Sequence, residues 1–159
     1  MPEPLSFELP DAAATAALGA RLAAALSPAP GGGLTVWLEG ELGAGKTTLV
    51  RAMLRALGHK GRVPSPTYTL VEPYELGTVT VHHADLYRLQ DPAEAEYLGL
   101  AELPEASGWL LVEWPDRGAG FLPPADLRIQ LAVAGQGRSV RLEAASQTGA
   151  SALRQLSEA

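Results

Sequence analysis

LSFEL, residues 5 to 9, alternates apolar and polar positions with the period of two that marks a half-buried strand. In the PDAAATAALGARLAAAL that follows, Ala17, Leu18, Leu22 and Leu26 recur near helical spacing, and Asp11 after Pro10 stands where an N-cap belongs. SPAPGGG, residues 27 to 33, is turn-rich and short enough to be a loop, not a domain linker. LTVWLE then runs apolar without alternation up to Gly40, which predicts a strand covered on both faces in the middle of a parallel sheet. KTTLVRAMLRALG places Leu49, Met53, Leu54 and Leu57 on one helical face and stops at Gly58, a natural C-cap.

The pattern changes at Thr67. From there to Leu89 the chain reads as extended, with TYTLVEPYEL and TVTVHHADLYRL forming an antiparallel hairpin around Gly77. DPAEAEYLGL predicts a short helix, since its Pro92 directly follows a capping Asp91. GWLLVEW, residues 108 to 114, is a second buried-strand run whose hydrophobicity ends abruptly in an acid, and PDRGAGFLPP is a loop. DLRIQLAVAG and RSVRLEAAS alternate around GQG as a second hairpin, and TGASALRQLSEA closes the chain as a helix. The fold class is therefore α/β: one domain over residues 1 to 159, with a mixed central sheet, flanking helices and an antiparallel hairpin inserted after the helix that begins at Lys46.

Composition narrows the function classes. A hydrophobic fraction of 47% with 19% charged residues is a globular balance, and no run approaches the ~18 apolar residues of a membrane span. Met1 to Pro10 is acidic and proline-broken, unlike a secretory signal, and the absence of cysteine removes disulfides and thiolate metal sites, so a soluble protein of a reducing cytoplasm is expected. A net charge of −6 with scattered Lys and Arg argues against a large nucleic-acid footprint, so any link to nucleic acid would run through a partner.

The chemistry starts at GELGAGKT, residues 40 to 47. It satisfies G-x-x-x-x-G-K-[ST] between a predicted strand and a predicted helix, the context this phosphate-loop motif requires. Gly43, Ala44 and Gly45 would turn backbone N–H groups toward one point at the positive end of the helix. Lys46 would reach the β- and γ-phosphates, Thr47 would ligate Mg²⁺, and Thr48 could add a donor on the α-phosphate side. A phosphate-bound Mg²⁺ also wants a carboxylate from a nearby strand end. Glu113, closing WLLVE in the manner of a Walker B strand, and Asp85, after VTVHHA, are the two candidates, the alternatives being a solvent-facing strand-end glutamate and an ordinary hairpin acid. In VPSPTYTLVEPY, Thr67 or Thr69 could sense a γ-phosphate; alternatively Pro64 and Pro66 only stiffen the connection. His82 and His83 are adjacent and point to opposite faces of a strand, so they make no metal pair and read as structural. Trp37, Trp109 and Trp114 read as packing residues, with Trp114 able to border the site through Glu113.

Taken together, GELGAGKTTLVR, SPTYTLVEPY, HADLYRL, EYLGL and LVEWPDRG, in this order, resemble the TsaE (YjeE) family, the small bacterial P-loop ATPases of tRNA threonylcarbamoyladenosine synthesis. The likeness runs from about Pro10 to Arg141. It implies ATP and Mg²⁺ as cofactors, with Gly43 to Thr48 as the ATP loop and Thr47, Asp85 and Glu113 as magnesium ligands. It further implies that the nucleotide base is approached from Asp11 and from the GQGR turn at Gly137. Partners implied by the resemblance are the TsaD and TsaB proteins, which install threonylcarbamoyl on adenosine 37 of tRNA; tRNA would meet this chain only through their complex.

On this reading the site is a slow ATPase in which Lys46 and Glu113 are the catalytic residues, Glu113 ligating Mg²⁺ or orienting the attacking water. No internal arginine finger stands out, and Arg88 is the nearest candidate through its proximity to Asp85. A small-molecule kinase shares the P-loop but would need an acceptor site and an arginine-rich lid, for which the short connections leave no room. A regulatory GTPase would be expected to carry an N-K-x-D guanine-reading motif, and the chain contains no asparagine.

Overall fold

The computed structural model describes residues 1–27, 33–77, 79–104 and 108–158. Seven strands form one mixed sheet in the order β1-β7-β6-β2-β5-β4-β3. The apolar runs take its centre: β2 (Leu34–Glu39) lies parallel to β5 (Gly108–Glu113) on one side and to β6 (Leu127–Ala134) on the other. Every residue of β5 is buried, as a strand covered on both faces must be. β4 (Thr80–Asp85) extends the parallel part beyond β5, and β3 (Val71–Glu75), which contains Pro73, pairs antiparallel with β4 as one edge. At the other end β7 (Gly137–Ala144) runs antiparallel between β6 and the edge strand β1 (Leu5–Leu9).

Helix α1 (Ala12–Leu26) starts at the expected cap, where the Asp11 side chain accepts from the Ala14 N–H. It buries Leu18, Leu22 and Leu26 as its spacing predicts, but Ala17 faces solvent, and Thr15 and Gly19 complete the packed stripe. α2 (Lys46–Ala56) packs on α1 through a face that includes Leu49, Met53 and Leu54 and ends before Gly58. α4 (Gln147–Glu158) covers α1 and β7. These helices and the sheet enclose the larger apolar core; a smaller one on the other face gathers Leu86, Leu100, Leu110 and Val112.

Three expectations change. Neither end of the segment 67–89 is extended: Leu89 donates its N–H to the Leu86 carbonyl at 3.0 Å in a turn after β4, and Leu70 donates its N–H to the Pro66 carbonyl at 2.7 Å and takes a left-handed φ of 69°, so a turn also precedes β3. Apolar and β-branched residues there suggest strand, but the turn uses Thr67 to face the sheet end. Trp114 leaves β5 with a left-handed φ of 58° and opens a single 3₁₀ turn over Pro115–Gly118, within the segment expected to be irregular. The helix expected over DPAEAEYLGL is reduced to α3 (Glu94–Tyr97), preceded by a turn in which the Asp91 side chain accepts from the Ala93 N–H. Most of the SPAPGGG loop, and Thr78 in the β3–β4 connection, lie outside the described residues.

Candidate functional site

The carboxyl end of β2 and the N-terminus of α2 are joined by the loop at Gly40–Gly45, where Gly43 and Gly45 have φ of 81° and 103°, a conformation that side-chain-bearing residues rarely adopt. A Cβ on Gly43 would meet nothing within 4 Å, so the glycine there serves the backbone path and leaves the loop open to a close-approaching group. An open cavity of ≈ 320 Å³ lies against this loop and is lined by Gly43, Ala44, Gly45, Lys46, Thr47 and Thr48 together with Thr67, Asp85, Glu113 and Trp114.

Parallel pairing of β4 with β5 places Asp85 directly beside Glu113 at the sheet's end. Thr47, in the first turn of α2, donates its hydroxyl to Glu113, 2.8 Å from Oε2 and 3.1 Å from Oε1. Asp85 Oδ1 accepts from the Tyr87 N–H at 2.9 Å, and its Oδ2 lies 3.5 Å from the Thr67 hydroxyl, which contacts Ser65 at 2.8 Å. Burial pushes the Asp85 carboxyl above its ordinary range, opposed by the Tyr87 N–H; Glu113 adds to the rise, and His83 and Lys46 oppose it. Lys46 donates its ammonium to the carbonyls of Gly40 and Glu41 and lies 3.9 Å from the centre of the Trp114 ring. Burial lowers its pKa, against the pull of Glu113, Asp85, Glu41 and Asp116.

A second cavity of ≈ 270 Å³ shares Ala44, Gly45, Thr48 and Arg138 with the first and reaches Asp11, Thr15, Gln136 and Gly137. Its existence depends on topology. Because β1 and β7 are neighbours, the start of α1 and the β6–β7 turn meet beside the loop, and Gly137 is so close to β1 that a Cβ there would fall 2.4 Å from the Leu9 carbonyl oxygen. The residues expected to hold nucleotide or Mg²⁺, together with Thr67, thus line one cavity or the other, whereas Thr69 lines neither.

The donor set at Thr47, Asp85 and Glu113 is oxygen only, which suits Mg²⁺. Among the described residues no group of three or more His, Cys, Asp or Glu is arranged to hold a metal ion, so an ion here would complete its shell from phosphate oxygens and water, as Mg²⁺ commonly does.

A model of the family described as "Threonylcarbamoyl adenosine biosynthesis protein TsaE" matches residues 9–140. The chain belongs to the TsaE family. The Haemophilus influenzae tRNA threonylcarbamoyladenosine biosynthesis protein TsaE is 44% identical over 116 residues, 73% of each chain. The Bacillus subtilis TsaE is 42% identical over 116 residues, 73% of this chain and 70% of the relative. In three dimensions the chain superposes on the crystal structure of Bacillus subtilis YdiB with a TM-score of 0.80 and 30% identity, covering 99% of this chain and 97% of the other. The fold is that of a P-loop NTPase-like TsaE domain, and the family is one of tRNA threonylcarbamoyladenosine biosynthesis. No helix among the described residues is long and apolar enough to cross a membrane.

Two residues of this TsaE chain, a histidine read from the sequence as structural and an arginine of the GQGR turn, stand closer to the site than the sequence indicates. His83, wholly buried, places Nε2 2.6 Å from Glu113 Oε2. The signal was present, since His83 and Asp85 are two apart in a strand and share a face. Arg138 lines both cavities and approaches Gly45, with its Cγ and Nε 3.8 Å from where a Cβ would stand. Its Nε is buried and has no hydrogen-bond partner among the described residues. The nearest arginine by sequence, Arg88, does not line these cavities; its guanidinium stacks 4.3 Å above the Tyr68 ring.

Proposed function

We propose that the chain binds ATP with Mg²⁺, hydrolyses it slowly, and serves as a nucleotide switch on a TsaD–TsaB complex that makes threonylcarbamoyladenosine in tRNA. The observation that carries this reading is the pair of cavities sharing Gly45 and Arg138: one is lined by the phosphate loop, hydroxyls and carboxylates, the other by Asp11 and Gly137. Together they offer room for a polyphosphate and for the nucleoside attached to it.

Loop N–H groups and the α2 N-terminus hold the phosphates. Lys46, which lines the phosphate cavity while it donates to the Gly40 and Glu41 carbonyls and stacks on Trp114, would turn donors from those carbonyls to the β- and γ-phosphates. Thr47 and Asp85 would hold the Mg²⁺, which would supply neutralisation of the phosphate charge. Glu113, fixed by Thr47 and His83, ligates the ion or holds a water in line. Thr67, already facing Asp85, is placed to sense whether a γ-phosphate is present. P-loop proteins awaiting a supplied cation can be slower by roughly 10³- to 10⁵-fold, so slow turnover alone and stimulation by the complex are expected.

Reconstitution tests the proposal. ATP turnover should rise when the TsaD–TsaB complex is added, and multiple-turnover tRNA modification should stall when this chain is omitted or replaced by Thr47→Ala. Modification that continues undiminished without the chain would sink the reading.

A further inference from the structure

Next to Thr67, Asp85 and Glu113 in sequence stand aromatic and arginine side chains that run from the rim of the phosphate-loop cavity, which Tyr87 and Trp114 help to line, out to solvent. After Thr67 comes Tyr68, 81% exposed; after Asp85 come Tyr87 and the exposed Arg88; after Glu113 come Trp114 and the exposed Arg117. These side chains order one another. Arg88 lies over the Tyr68 ring at 4.3 Å, Arg117 over Tyr87 at 5.2 Å and over Trp114 at 5.7 Å, and the Tyr87 and Trp114 rings are 4.9 Å apart. Arg117 also donates to the Tyr87 carbonyl at 3.0 Å. Beside them opens a hollow of ≈ 710 Å³ whose lining includes Tyr87, Arg88, Pro92, Asp116 and Arg117.

Among the described residues neither Arg88 nor Arg117 forms an ion pair. Exposed tyrosine and arginine are the anchor types of protein interfaces, and a guanidinium already resting on a ring loses less freedom when a carboxylate docks. RNA fits the charge less well: two arginines sharing a hollow with Asp116 are a small cationic footprint on a chain of net charge −6.

We propose that this face docks a protein partner that presents carboxylates to Arg88 and Arg117 and a recess to Tyr68. Its shape follows nucleotide state because the Thr67–Asp85 contact and the Tyr87 N–H bond to Asp85 tie it to the phosphate cavity. The inference rests on the switch reading above and supplies the surface through which the switch is read.

The test measures binding of the intact chain, loaded with a non-hydrolysable ATP analogue and Mg²⁺, to the purified TsaD–TsaB complex, alongside its affinity for the analogue alone. Arg88→Glu and Tyr68→Ala are each expected to weaken complex binding by about tenfold or more with analogue affinity unchanged. Arg154→Glu, on the exposed side of α4, should alter neither quantity. Wild-type binding by both Arg88→Glu and Tyr68→Ala overturns the docking surface and leaves the switch standing. A wild-type chain that does not bind the complex overturns the switch reading and the surface with it. In a parallel arm with labelled tRNA alone, binding that Arg88→Glu abolishes would assign the face to RNA and overturn the protein partner.

Discussion

Glu113 holds the candidate site together through three neighbours: the Thr47 hydroxyl, the buried His83 ring and, across the strand pair, Asp85. His83→Leu removes a 2.6 Å contact and leaves the carboxylate buried with one polar partner fewer. Loosened positioning of this kind costs roughly 10- to 100-fold in activity or metal affinity, so Mg²⁺-dependent ATP turnover should fall by about that factor, and a phosphate-release assay checks it. Asp85 carries the pH dependence. Its pKa is raised chiefly by burial, so the folded chain holds this proton more firmly than the unfolded one. Its contribution to stability is therefore most favourable below the ordinary value of 3.8 and is lost as pH rises through the raised pKa. Without Mg²⁺, Asp85→Asn should melt above the wild type near pH 7, with the gain shrinking on acidification toward pH ~4. Adding ATP and Mg²⁺ should reverse the order, because the variant lacks a charged ligand; paired thermal melts measure both signs.

At the scale of elements, the phosphate loop, its strand and its helix were legible because each has one dominant local signal: an apolar run, a spaced motif and a 3.6-residue period. The turn at Pro66–Leu70 was not, because Thr67, Tyr68 and Leu70 all favour strand locally and the left-handed Leu70 is set by the backbone bond to Pro66. Arg138 lies in the GQGR turn that the resemblance brings to the base, but its approach to Gly45 was beyond reach, since it depends on the β6–β7 hairpin lying beside β2 and on β7 lying beside β1. That pairing is testable. Gly137→Ala places a methyl against the Leu9 carbonyl and must push β7 from β1. An overpacking cost of about 1–3 kcal/mol in urea unfolding is expected, with weaker ATP binding in the same variant.

Across the whole molecule, the nucleoside-sized cavity is assembled from the first helix, the phosphate loop and the last hairpin, parts of the chain as much as a hundred residues or more apart in sequence, so ligand binding should stabilise the fold by tying them together. ATP with Mg²⁺ at about a hundred times its Kd should add about 2.7 kcal/mol to unfolding, and a thermal shift larger for ATP than for GTP would accord with adenine reading. The sheet order itself was not readable, because alternation and apolar runs identify strands without naming their neighbours. One edge of that sheet has a further effect. In β3, Pro73 removes a backbone donor, and Glu72 and Glu75 place negative charge along the outermost strand. Such an edge discourages another chain from continuing the ladder. At this edge, encounters with other proteins are thereby steered away from strand addition, and on the proposed reading they fall instead to the side chains at the carboxyl ends of β4 and β5, where a meeting could be made and unmade with each nucleotide bound and released.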